Sequence, residues 1–169
     1  MYSNLIIRPE QTQDITVIFN LTQRAFEQAE HSSHTEQFIV NALRAAGHLS
    51  ISLVAELDSQ IVGHIAFSPV QLSSGAAHWY GLGPVSVLPE WQQQGIGSQL
   101  IEKGLYQLRQ YAAGCVVLGE PAYYQRFGFQ AVPGLLLEGV PPEYFQALLF
   151  QGEMPLAQVK YSDAFAVTQ

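Results

Sequence analysis

The spacing of apolar residues changes twice along the chain, and this change limits the fold more than any other feature of the sequence. Leu5 to Arg8 is a short apolar run that predicts a strand, and the helical spacing after Pro9 predicts two helices. The second helix is expected from about Thr35 to Ala46, behind a capping box made by Ser33 and Glu36. The beginning of the chain therefore predicts a strand followed by two helices.

The following segment is rich in Ile and Val and has the period of strands. Ser50 to Ser68 is expected to form an antiparallel hairpin that turns at Asp58-Ser59. The next strand, Ala76 to Leu88, contains Pro84, which has no amide hydrogen to donate, so a bulge is expected near Gly83 to Ser86. A long helix, a buried strand, a short helix and a last strand are then predicted at about Gln94–Ala112, Cys115–Leu118, Ala122–Phe127 and Leu156–Tyr161. This order predicts one α/β domain, residues 1–169, around a mixed sheet.

Composition narrows the classes of protein. The chain has 169 residues, 48% hydrophobic and 12% charged, which argues against disorder. No run approaches the roughly 20 uncharged apolar residues of a membrane helix, and the start lacks the pattern of a signal peptide, so we expect a cytoplasmic protein with no membrane partner. A formal charge of -7 has the wrong sign for binding nucleic acid. The single cysteine, Cys115, excludes an intrachain disulfide and a zinc site built on cysteine pairs, and no metal is expected.

The clearest local pattern runs from Val85 to Leu100, where a strand turns through a loop with two glycines into an amphipathic helix. Gly95 and Gly97 let the backbone approach an anion closely, and the amides and dipole of the helix start attract negative charge. An isolated pattern of this kind also occurs in ordinary loops that begin helices. The segment lacks the third glycine of a dinucleotide-binding fingerprint and the Gly-Lys-Ser/Thr of a P-loop. It therefore predicts a phosphate-binding helix start of another kind.

Two motifs carry a resemblance to a known family. Gln92-x-x-Gly95-x-Gly97 resembles the pyrophosphate-binding segment of the GNAT N-acetyltransferase superfamily, and Tyr124 to Phe129 resembles the Tyr-x-x-x-Gly-Phe that follows the fifth strand of that family. The resemblance covers nearly the whole chain. The sequence around the two motifs is similar to a bacterial subgroup of acetyltransferases without a settled substrate. The resemblance implies a mixed, mostly antiparallel central sheet, flanked by helices and splayed between strands 4 and 5.

The resemblance also implies acetyl-CoA as co-substrate. The strand backbone would meet the pantetheine and the acetyl carbonyl, and the loop would wrap the pyrophosphate, at Val85, Ser86, Val87, Gln92, Gln93, Gln94, Gly95, Ile96, Gly97 and Ser98. Gln93 and Gln94 stand where the family usually has arginines. The phosphates are therefore expected to be held by amides and the helix dipole, with an affinity that depends little on salt.

Catalytic residues are less clear than binding residues. Tyr124 matches the family residue that protonates the departing thiolate, and a phenol of pKa about 10 suits that role, although a packed surface aromatic is the structural alternative. Its neighbour Tyr123 is expected to point elsewhere. The fourth strand has no acidic residue, so Glu120 is the nearest candidate for a general base by topology. Four histidines are alternatives that could relay a proton through water, namely His31, His34, His64 and His78. Cys115 is expected to be buried, which argues against a covalent acetyl-enzyme.

The predicted function is transfer of an acetyl group from acetyl-CoA to a primary amine by direct attack in a ternary complex. The amine, a small molecule or a peptide, is expected to be selected by His31 to Gln37 and by the loop Gly134 to Pro142. Polyamines, aminoglycosides and lysine-bearing peptides are the candidates that an acidic chain favours. A non-catalytic acyl-CoA-binding sensor or regulatory module is the alternative, and a homodimer is left open.

Overall fold

Nine strands and four α-helices form within residues 4–169, which are the residues that the computed structural model describes. In chain order the strands are β1 (Leu5–Pro9), β2 (Ile51–Leu57), β3 (Gln60–Pro69), β4 (Gln71–Leu72), β5 (Trp79–Val87), β6 (Gly114–Leu118), β7 (Leu135–Leu136), β8 (Phe145–Leu149) and β9 (Ala157–Lys160). The helices are α1 (Ile15–Phe26), α2 (Glu36–Ala45), α3 (Ile96–Leu108) and α4 (Pro121–Tyr124). None of these helices is long and apolar enough to cross a membrane.

The central sheet has six strands in the order β1-β2-β3-β5-β6-β8. Neighbouring strands are antiparallel except for β5 and β6, which are parallel. The prediction of a mixed, mostly antiparallel sheet in an α/β fold is confirmed.

Strand β5 is irregular at the proline that the sequence singled out. Val85 lies opposite Ile65 and Leu82 lies opposite Phe67, so two residues of β5 face one residue of β3. Pairing between β5 and β6 covers only residues 79–82 and 114–117. The predicted bulge is therefore found. The predicted splay between the family's fourth and fifth strands is also found, and these strands are β5 and β6 here. The second half of β5 has one strand edge that β6 does not cover.

Helices cover both faces of the sheet. Along β2, Val54 packs with Ile18 of α1 and Val40 of α2, whereas Leu53 belongs to the apolar cluster that contains Leu100 of α3. Because successive side chains of a strand point to opposite faces, α1 and α2 lie on one face and α3 lies on the other.

Two local predictions about helix ends are wrong. The capping box of Ser33 and Glu36 is absent: Thr35 precedes α2 and makes no capping hydrogen bond with its side chain, while Ser32 donates its hydroxyl to the Glu36 carboxylate at 2.8 Å. The long helix begins at Ile96 rather than Gln94, because Gly95 has a left-handed backbone with φ 87° that a right-handed helix cannot include.

A second, smaller sheet was not predicted. Strand β9, expected as the last strand, pairs with β4 and β7 in a three-stranded sheet outside the central one. Strand β8 was missed altogether. Outside the named strands, Gln130 forms an isolated bridge with Ala147 of β8.

A polar network links α2 to the sheet on the face that α1 and α2 cover. Arg44 lies 2.8 Å from the Glu10 carboxylate, and Ser52 donates its hydroxyl to Glu10 while lying 2.8 Å from Nε2 of His64. Burial of the imidazole, only partly offset by the charge of Glu10, lowers the pKa of His64 to about 4. His64 is therefore neutral at physiological pH.

Candidate active site

A cleft of about 550 Å³ opens where β5, the glycine loop, the start of α3 and the segment after β6 meet. We call it the cofactor cleft. Eight of the ten residues predicted to bind acetyl-CoA line it, namely Val85, Val87, Gln92, Gln93, Gly95, Ile96, Gly97 and Ser98. The structure thus brings together most of a set chosen from the sequence alone.

The other two predicted residues have side chains elsewhere. Ser86 is 1% exposed and lies opposite His64 in the β3–β5 pair, so its side chain shares the sheet face of that histidine. Gln94 is exposed, and its side-chain amide donates to the carbonyl of Glu90 at 3.4 Å. Neither side chain is among those that line the cofactor cleft.

The glycine loop is held in shape by its own residues. The side-chain amide of Gln92 donates to the carbonyl of Val87 at 2.9 Å, which fastens the loop to the end of β5. Gln93 and Gly95 both have left-handed backbones, with φ of 61° and 87°. The first helical hydrogen bond runs from Gln99 to Gly95 at 3.1 Å, so the amides of residues 96–98 have no acceptor within the helix. These amides are oriented for an anion at the helix start.

Gly97 matters through the space that it leaves open. A Cβ at this position would lie 3.5 Å from the Tyr123 hydroxyl and 3.8 Å from Val87, which are ordinary contacts. The fold therefore does not require a glycine here. A larger side chain would instead project into the cofactor cleft.

Sequence reasoning missed four residues that line the cofactor cleft, namely Trp91, Ile101, Tyr123 and Arg126. The Tyr123 hydroxyl lies 3.3 Å from Oγ of Ser98, so this side chain faces the cleft rather than pointing elsewhere. The Arg126 guanidinium stacks 4.6 Å from the centre of the Tyr123 ring. The helical spacing of three residues between them was a usable signal. Arg126 gives the cleft a positive charge that the glycine loop lacks.

Tyr124 lies between the cofactor cleft and a second cavity, and it lines both. Its ring packs edge-on against Phe129, with centroids 6.0 Å apart. A Cβ on Gly119 would overlap the same ring, so the glycine is needed for the position of Tyr124. Burial, with smaller effects of Tyr123 and Cys115, raises the pKa of Tyr124 to about 12. The phenol is therefore protonated at neutral pH and can donate a proton.

The second cavity, which we call the apolar cavity, has a volume of about 500 Å³. Its walls come from many parts of the chain, including Phe26, Ile39, Leu82, Leu118, Leu137 and Phe165. Glu36 and Glu138 contribute carboxylates. Both segments expected to select the amine therefore supply lining residues.

The other candidate catalytic residues lie outside both cavities. Glu120 is exposed just before α4, where its main-chain carbonyl accepts from Tyr124, and this position gives no support to a role as general base. Cys115 is completely buried, and burial raises the pKa of its thiol, so it is a poor nucleophile. The four candidate histidines do not line either cavity. No cluster of three or more potential metal ligands occurs among residues 4–169.

Comparisons with known proteins agree with this geometry. The model of the acetyltransferase (GNAT) family matches residues 15–129. A GNAT family acetyltransferase from Brucella melitensis, solved in complex with acetyl-CoA, is 49% identical, with a TM-score of 0.85 over 95% of this chain and 97% of that one. Escherichia coli YhbS, solved in complex with CoA, is 32% identical, with a TM-score of 0.88 over 98% of this chain and 94% of that one.

Sequence comparison alone leads to the same group of proteins. The uncharacterized N-acetyltransferase YhbS of Escherichia coli K12 is 38% identical over 128 residues, which are 75% of this chain and 74% of YhbS. The match of the family model covers well over half of the chain. On both grounds the chain belongs to the GNAT family of acetyltransferases.

Proposed function

We propose that the chain transfers an acetyl group from acetyl-CoA to a primary amine by direct attack in a ternary complex. The observation that carries this proposal is the position of Tyr124, a protonated phenol that lines both the cofactor cleft and the apolar cavity. A donor bound in one cavity and an acceptor bound in the other would meet beside this hydroxyl. The similarity to a protein solved with acetyl-CoA supports the choice of donor.

The cofactor cleft fits the phosphates of acetyl-CoA. The free amides at the start of α3, the left-handed backbone at Gln93 and Gly95 and the helix dipole all favour an anion at the same point. Arg126 adds a formal charge beside them. The uncovered edge of β5, at Val85 and Val87, offers backbone groups to the amide chain of pantetheine.

The reaction needs one proton acceptor and one proton donor. Acetyl-CoA supplies an activated acetyl group as a thioester. The amine nitrogen forms a bond to the carbonyl carbon and loses a proton to solvent, while the carbon–sulfur bond breaks. Tyr124 donates its proton to the departing sulfur and recovers one from solvent. The products are an N-acetyl amine and free CoA thiol, and Cys115 takes no part.

Release of CoA thiol from acetyl-CoA in the presence of a panel of primary amines tests the proposal. Release that depends on the amine supports an enzyme. Tight binding of acetyl-CoA without release by any amine would overturn the proposal and favour a non-catalytic acyl-CoA-binding module. Mass spectrometry of the product identifies the acetylated nitrogen.

A further inference from the structure

We infer that the acceptor is a small primary amine with an apolar body and a single positive charge, and that it binds in the apolar cavity. This inference rests on the proposed function, since it concerns the substrate of the same site. The inference narrows the set of candidate amines that an acidic chain favours. Polyamines and aminoglycosides carry several charges, whereas this class carries one.

The first argument is that most side chains lining the apolar cavity are apolar. Leu82, Leu118 and Leu137 face the cavity from three separate elements, together with the rings of Phe26 and Phe165. Its volume of about 500 Å³ lies within the roughly 300–1,000 Å³ range of small-molecule sites. Bringing all the ammonium groups of a molecule such as spermidine or kanamycin against such walls would remove their hydration, and the carboxylates of Glu36 and Glu138 could replace it for only some of them. An aliphatic or aromatic body gains from the same burial.

Charge gives the second argument. Two carboxylates, Glu36 and Glu138, line the apolar cavity, and its lining within residues 4–169 includes no Lys, Arg or His. Glu36 is half-buried and is held by the hydroxyl of Ser32. A single ammonium is attracted to these carboxylates, and a carboxylate on the acceptor is repelled. The acceptor is therefore an amine rather than an amino acid.

Tyr161 adds an aromatic wall to the apolar cavity. Its hydroxyl is buried with almost no accessible surface, so it offers no polar group to a bound molecule. The ring is fixed, because it packs 5.0 Å from the Phe165 ring and a Cβ on Gly81 would lie 2.8 Å from it. A fixed aromatic wall favours an apolar body on the acceptor.

2-Phenylethylamine and spermidine are contrasting probes, because the first has one charge on an apolar body and the second has several charges. We expect kcat/KM for 2-phenylethylamine to exceed that for spermidine or kanamycin by at least roughly tenfold. A value for 2-phenylethylamine equal to or below that for spermidine would overturn the inference.

The Leu118→Asn variant tests whether the apolar lining of the cavity contributes to binding of the acceptor. Leu118 is 48% exposed, so the substitution leaves the core alone and should raise KM for 2-phenylethylamine with little change for spermidine. The matched control is Leu156→Asn, since Leu156 is 74% exposed and lies outside the cavity. Preferential acetylation of spermidine or kanamycin by the unmodified protein would overturn the inference and leave the proposed function standing. Absence of turnover with every amine would instead overturn the proposed function, and the inference with it.

Discussion

The cofactor cleft and the apolar cavity lie on either side of Tyr124, but they are built in opposite ways. The cleft is lined largely by one continuous segment, which presents main-chain amides and left-handed residues. The cavity is made from side chains that come from widely separated parts of the chain, from Phe26 to Phe165. A site of main-chain groups suits a donor that is always the same. A site of side chains can be changed residue by residue, so its choice of acceptor can change while the donor site stays the same.

The largest expected effect comes from Tyr124, which with Val85 lines both cavities. Tyr124→Phe removes only the hydroxyl, so kcat and kcat/KM should fall together by at least roughly a hundredfold while binding of acetyl-CoA barely changes. Steady-state kinetics and calorimetry measure the two quantities. Tyr123→Phe is the matched control, because its hydroxyl lies near Ser98 in the cleft only, and it should cost far less. A Tyr124→Phe enzyme that keeps most of its kcat would return this residue to a packing role.

The next effect separates the two cavities. Gly97→Val should weaken binding of acetyl-CoA by at least tenfold, about 1.4 kcal/mol, because the added methyl groups occupy the cofactor cleft. The fold should survive, since a Cβ at Gly97 makes only ordinary contacts. Leu118→Asn, in the apolar cavity, should leave the same affinity unchanged. Unaltered calorimetric affinity in a folded Gly97→Val protein would contradict the assignment of the cleft.

A smaller effect concerns charge. The glycine loop alone predicts little dependence on salt, but Arg126 lies in the cofactor cleft. Arg126→Gln should weaken binding of acetyl-CoA roughly threefold at low ionic strength, as an exposed charge contact does, and should flatten the dependence on salt. Arg109→Gln is the control, because Arg109 also stacks on an aromatic ring, Phe150, but does not line the cleft. Equal salt dependence in the two variants would remove Arg126 from the site.

The last prediction concerns the dependence of kcat on pH, for which the smallest change is expected. Because a donor must be protonated, loss of activity at high pH should follow the pKa of Tyr124, which burial raises to about 12. We therefore expect kcat with a saturating amine to stay constant from about pH 8 to about pH 10. A decline with an apparent pKa of about 10 would mean that the donor has the exposure of an ordinary phenol.

The same contrast explains what the sequence could predict. The glycine loop was predictable because its constraints are local: Gly95 must adopt a left-handed backbone, and the helix follows at once. The bulge in β5 was predictable from Pro84, since one missing amide hydrogen is enough. The apolar cavity was not predictable as a set, because Leu82, Leu137 and Tyr161 meet only through the packing of distant segments.

One wrong prediction and one unsupported prediction have the same physical origin. Ser33 had the right spacing for a capping box, but a left-handed backbone at His34 precedes the helix, and Ser32 binds Glu36 instead. Glu120 was chosen by its place after the fifth strand, yet the start of α4 leaves its side chain exposed. In both cases the residue type was suitable, and the direction of the side chain decided the outcome.

The buried imidazole beneath the sheet makes the stability of the fold depend on acidity. Between the ordinary histidine pKa of 6.5 and the value of about 4 in the native protein, the unfolded chain binds a proton at His64 that the native chain does not. Acidification through this range therefore favours unfolding, by linkage. Glu10 acts in the same direction: burial raises its pKa, but hydrogen bonds from Arg44 and Ser52 lower it below the ordinary value overall. The native state thus gains its full stability from these groups above about pH 6.5, and a rise in pH also leaves more of an amine as the free base that can attack a thioester.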